Sequence, residues 1–145
     1  MPQRIDTATL AAGPFSLTCK LSPRQRQRGP SPIAGEIELE NTSEKLLEIE
    51  VRSSPLQYLN LIVTDGAGNV VSDSHYGDLF SPLAQPYTLR MAPGEKFIAP
   101  VSLMGNVPEA KRDPGEYTVQ AIYEYKELKA ISEPVWVCLP AASPS

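Results

Sequence analysis

Pro114-Gly115-Glu116-Tyr117-Thr118-Val119-Gln120-Ala121-Ile122-Tyr123-Glu124-Tyr125 is the stretch on which the fold turns. After a Pro-Gly reversal, Tyr117, Val119, Ala121, Tyr123 and Tyr125 occupy every second position. Successive side chains of an extended chain point to opposite faces, so this period puts one face on a core and the other in water. An amphipathic helix would need its apolar residues three and four apart. The same rhythm recurs outward in both directions. Phe15, Leu17, Cys19 and Leu21 alternate with Ser16, Thr18 and Lys20, and Gly35, Ile37 and Leu39 alternate with Glu36, Glu38 and Glu40. Leu47, Ile49 and Val51 alternate with Glu48, Glu50 and Arg52. Leu59-Leu61-Val63, Tyr87-Leu89-Met91, Phe97-Ala99-Val101 and Val135-Val137-Leu139 continue it, the last with Trp136 and Cys138 pointing the other way.

Turn formers separate these runs: Asn41-Thr42-Ser43, Asp65-Gly66-Ala67-Gly68-Asn69, Ala92-Pro93-Gly94-Glu95 and Asp113-Pro114-Gly115. Glu44–Arg52 is rich in helix formers, but its strict alternation predicts a strand, and Glu124–Ala130 reads as the bend of a hairpin. About seven to nine short strands at this spacing predict an all-β chain, a β-sandwich or a barrel. Two segments are too long for tight turns: Ser22–Pro32, which carries Arg24, Arg26 and Arg28, and Ser72–Pro86, which carries Tyr76, Leu79, Phe80 and Leu83. The expectation is one domain over residues 13–139 between flexible ends, residues 1–12 and 140–145.

Composition narrows the chemistry. The chain has 145 residues, 13 Lys and Arg against 17 Asp and Glu, and a net charge of −4, which disfavours nucleic acid as a partner. Fifteen prolines oppose long helices. No apolar run approaches a membrane span, and Met1-Pro2-Gln3-Arg4-Ile5-Asp6 lacks the apolar core of a secretory signal, so a cytoplasmic location is expected. One His and two Cys leave little for a metal cluster, and no motif implies a cofactor.

A Ser or Cys nucleophile needs a base, and His75 has only Asp73 and Ser74 beside it, too close in sequence to form a triad; the expectation is no enzyme. Asp65–Asn69 lacks the third Gly of a dinucleotide loop and the carboxylates of a calcium loop, and reads as a hairpin turn. Cys19 faces inward and Cys138 outward, so two free thiols are expected rather than a disulfide. Asn41-Thr42-Ser43 matches a glycosylation acceptor but reads as a turn. Arg24, Arg26 and Arg28 at alternate positions make a one-sided basic comb on an extended chain, either solvated or set against an acidic partner. Tyr76, Leu79 and Phe80 are the candidate apolar anchors of a protein-binding loop; the competing reading folds Phe80 and Leu83 down over one end of the domain.

Three stretches carry a family likeness. Tyr58 to Val71 (YLNLIVTDGAGNVV) resembles the pattern Y-x-x-x-V-x-D-x-x-G-x-x-V, and Leu89 to Glu95 (LRMAPGE) resembles an L-x-P-G-E turn with one extra residue. Pro114 to Tyr123 resembles P-G-x-Y-x-V-x-A. In this order they resemble the BsuPI type of bacterial intracellular proteinase inhibitor and, more loosely, bacterial immunoglobulin-like domains, over roughly Gly35 to Tyr125. The resemblance implies an immunoglobulin-like antiparallel sandwich and a role in restraining an intracellular protease. The arginine-bearing segment and the Trp136 strand depart from the pattern. Tyr117, two residues after a Gly at the start of a late strand, suits a tyrosine corner, and Val119 then takes the inward position that a disulfide Cys holds in antibody domains; a Greek key without a disulfide follows. Two functions remain: a non-catalytic module that binds another protein, or an accessory subunit that self-associates through a sheet edge. Small-ligand binding comes third.

Overall fold

Alternation in the sequence becomes burial in the folded chain. A computed structural model describes residues 17–24 and 34–139, and these form nine strands and no α-helix. Phe15, Arg26, Arg28 and both expected flexible ends lie outside the described residues. The strands are β1 (Leu17–Arg24), β2 (Ala34–Asn41), β3 (Leu47–Val51), β4 (Leu59–Asp65), β5 (Tyr87–Met91), β6 (Lys96–Ser102), β7 (Gly115–Tyr125), β8 (Leu128–Ile131) and β9 (Val135–Leu139). They pair antiparallel in three sheets: β1-β2-β6, β3-β5, and β4-β7 with β8 and β9 sharing the far edge of β7.

All three sheets supply one core. Ile37 and Leu39 of β2, Ile49 of β3, Leu59, Leu61 and Val63 of β4, and Val119, Ala121 and Tyr123 of β7 have no accessible surface. Each such aliphatic side chain stabilises the fold by about 1.5–3 kcal/mol through lost contact with water. Both cysteines are free, Cys19 buried and Cys138 exposed, in line with the opposite facing expected of them.

β2 and β3 are two parts of one path that bends between sheets, and β5 and β6 follow it on the outside. Asn41 sits at the bend with no exposed surface. Its amide nitrogen donates to the Lys45 carbonyl at 2.8 Å and the Met91 carbonyl at 2.7 Å, while its Oδ1 accepts from the Ser43 N–H and hydroxyl. The Asn41-Thr42-Ser43 turn is therefore built around a buried amide that has no surface to offer a glycan.

Free strand edges are closed by side chains. The Glu50 N–H of β3 donates to the Tyr125 hydroxyl, and the Tyr58 hydroxyl donates to the Glu50 carbonyl at 2.6 Å. Where β8 gives way to β9, the Ser132 hydroxyl accepts from the Ala121 N–H at 2.9 Å, replacing a ladder bond. Glu124–Ala130 holds the expected hairpin: β7 and β8 pair up to Tyr125 and Leu128, and the turn is Lys126 and Glu127, with Lys126 in the left-handed region at φ 53°.

Two expectations are corrected. The first long segment does not begin at Ser22: Ser22, Pro23 and Arg24 prolong β1, opposite Glu36, Gly35 and Ala34. Edge strands tolerate proline because an outward-facing nitrogen has no ladder bond to lose. Tyr87, grouped with the inward residues, is 45% exposed, because it stands at the open end of β5.

Candidate interaction surface

The segment between β4 and β5 starts as a tether. The Val71 N–H donates to the Val63 carbonyl and the Ser72 hydroxyl accepts from the Val63 N–H, which closes the outer edge of β4. Asn106, buried, donates to the carbonyls of Leu61 and Ser74 at 2.8 and 2.9 Å. The Asn60 Oδ1 accepts the Tyr76 N–H at 3.1 Å.

A short 3-10 turn, Tyr76–Leu79, follows. His75 caps it: the imidazole Nδ1 accepts the Gly77 N–H at 3.1 Å. That use fixes Nδ1 on the backbone of the turn. Tyr76 is not the surface anchor expected of it. It is only 5% exposed, and its hydroxyl accepts the Ser102 N–H of β6 at 2.9 Å. Burial raises its hydroxyl pKa above the ordinary value, against the smaller opposite effect of that hydrogen bond. Phe80, half-buried, meets its ring edge-on at 5.8 Å. The aromatic pair thus holds the segment down, the part assigned to Phe80 in the competing reading.

What the pair holds up is the exposed run Ser81–Pro86, in which every residue faces solvent. One internal bond fixes its middle: the Leu83 N–H donates to the Arg52 carbonyl at 2.7 Å. Arg52 is itself clamped, since the Gln57 Oε1 accepts the N–H groups of Arg52 and Ser53 at 2.6 and 3.0 Å. Leu79, Leu83 and Tyr87 are 53%, 42% and 45% exposed. Beside them a recess of about 320 Å³ is lined by Glu50, Val51, Arg52, Pro86, Tyr87 and Thr88. Leu79, Leu83 and Tyr87 thus stand exposed along a segment whose middle is bonded to Arg52.

Arg24 ends β1, opposite Ala34, while Arg26 and Arg28 lie outside the described residues. Tyr117 is buried, and its hydroxyl donates to the Asp113 carbonyl four residues upstream. Desolvation chiefly, then the nearby Asp113 and Asp65 charges, raise its pKa. Val119 is buried between Val63 of β4 and Val135 of β9. A larger cleft of about 510 Å³ lies between the Asp65–Asn69 turn and residues 110–117. Within it the Asp65 Oδ1 accepts the N–H groups of Ala67 and Asn69, making the hairpin turn expected there. Among the described residues no group of three His, Cys, Asp or Glu could hold a metal ion, and no helix is long and apolar enough to cross a membrane.

Three surface residues, Leu83, Tyr87 and Trp136, are not among the expected contacts. Leu83, folded down in the competing reading, is 42% exposed, and Pro82 and Pro86 around it favour an extended run. Trp136, opposite Thr118 on β9, is 73% exposed; a tryptophan on the polar side of an alternating strand was the available signal. Comparison with known proteins matched no family model and no curated protein. The likeness to the BsuPI type therefore rests on the three quoted stretches alone.

Proposed function

We propose that the chain is a non-catalytic, immunoglobulin-like sandwich that binds another protein through the segment Leu79–Tyr87, and that its partner is a cytoplasmic protease held in check. The observation that carries this is the exposed run Ser81–Pro86 on a clamped base. Its prolines preset an extended backbone, and the Leu83–Arg52 bond fixes its middle, so little ordering entropy is lost when a cleft closes on it. Endopeptidase clefts take extended chain, and Leu79, Leu83 and Tyr87 supply apolar side chains to the pockets. The three stretches that resemble the BsuPI type of inhibitor agree with this reading.

Titration against serine proteases that select apolar residues tests it. Wild type should inhibit at micromolar excess, and Leu83→Asp should lose at least roughly tenfold in affinity while unfolding at the same denaturant concentration. Equal inhibition by Leu83→Asp would take the contact away from this segment. A second reading, self-association through a sheet edge, is favoured by Trp136 on β9.

A further inference from the structure

β9 is an edge strand, paired on one side only as β1, β5 and β8 are. The Ser102 N–H of β6 is taken by the Tyr76 hydroxyl, and Pro100 two residues earlier has no N–H to offer. The edge of β3 is closed by Tyr58 and Tyr125, and that of β4 by Val71 and Ser72. Among the described residues β9 pairs with β7 alone.

The ladder says which backbone groups β9 leaves outward. Val63 turns its N–H and carbonyl away from β7, whereas Ala121 exchanges bonds with Ser132 on the opposite side. Bonded and non-bonded positions alternate along an antiparallel pair, so Gly115, Tyr117 and Val119 bond toward β9, to Leu139, Val137 and Val135. Trp136 and Cys138, opposite Thr118 and Glu116, therefore aim their own N–H and carbonyl groups outward. Within the described strand the outward row is Trp136 and Cys138, and in the sequence Pro134 and Pro140, three residues to either side of Val137, have no N–H.

We propose that β9 pairs antiparallel with β9 of a second copy of this chain, about a two-fold axis at Val137. Trp136 then stands opposite the partner's Cys138, and Cys138 opposite the partner's Trp136. Each pair exchanges both of its hydrogen bonds, which uses every outward N–H of the edge. The sequence around Val137 is symmetric in the property that matters, and such an edge fits its own copy better than an arbitrary strand. No charged residue lies within Val135–Leu139 to repel a second strand. Trp136, the most exposed of the large apolar residues, comes to lie against the partner's Cys138 on the shared outer face. This proposal rests on the second reading above and is independent of the Leu79–Tyr87 contact.

Sedimentation of the full chain over a wide concentration range, with reductant present, tests it. Wild type should form a dimer, and the emission of Trp136, the only tryptophan, should shift to the blue as the dimer forms. Cys138→Pro removes one outward N–H without touching the β7 ladder and should remain monomeric with an unchanged far-ultraviolet spectrum. Trp136→Ser keeps the backbone and should weaken the dimer roughly tenfold or more, which decides the matter if the proline variant does not fold. A monomer at every concentration overturns both self-association and this edge. A wild-type dimer that Cys138→Pro and Trp136→Ser leave equally tight keeps self-association and removes β9 from it.

Discussion

Asn41 and Tyr117 each satisfy backbone that the bend of the chain would otherwise strand. The Asn41 amide serves two carbonyls from two different segments, Lys45 and Met91, where β2 leaves one sheet for another. Asn41→Ala should destabilise by about 1–3 kcal/mol, since it leaves the buried Met91 carbonyl without a donor. Chemical denaturation reads this directly, and a loss under 1 kcal/mol, roughly the net worth of one bond, would argue against the amide as the support of the bend. Tyr117→Phe should cost about 0.5–1.5 kcal/mol, the net worth of one hydrogen bond. A variant as stable as wild type would remove the hydroxyl-to-Asp113 contact from the account. Asn41 was read as a turn residue because Asn-Thr-Ser favours reversal locally; its distant partner Met91 carries no local mark.

The strands were readable because an element with one buried face needs only local alternation to declare itself. β2, β3, β4 and β7 follow their expected runs for that reason, including β3, where good helix formers competed. The segment between β4 and β5 was opaque, since its placement depends on contacts far along the chain. Tyr76 looks like any loop aromatic until Ser102 arrives to donate to it. Gly77 is the tightest point of this segment. A Cβ there would lie 2.0 Å from the Gln57 carbonyl oxygen, so the 3-10 turn and the Pro55–Tyr58 turn could not keep their contact. Gly77→Ala should therefore cost about 1–3 kcal/mol, as overpacking against backbone does. The Leu83 amide should also exchange faster with solvent, because the base of the exposed run moves; unchanged exchange at Leu83 would mean that the two turns do not position it.

At the scale of the whole molecule, the core holds acids that stay protonated. Burial pushes the Cys19 thiol up to about 12, from an ordinary 9.0. Tyr123, buried chiefly by the same desolvation, is raised strongly as well. Above about pH 9 the unfolded chain releases the Cys19 proton while the folded chain keeps it, so stability falls as pH rises, by about 1.4 kcal/mol per unit from this group. The loss runs on toward pH 12 and is absent below the unfolded value. Urea denaturation at about pH 8 and about pH 10 should give a steeper decline for wild type than for Cys19→Ala; equal slopes would mean that water reaches the thiol. Near-neighbour chemistry along the chain was enough to write the strand order of burial, the hairpin turns and the opposite facing of Cys19 and Cys138, because each depends on alternation within a few residues. Which edges are capped, which loop is pinned and which stands free depended on pairs such as Tyr125 with Glu50, Tyr76 with Ser102 and Leu83 with Arg52. Those pairs lie tens of residues apart, and only the packing of the sheets brings them within hydrogen-bond distance.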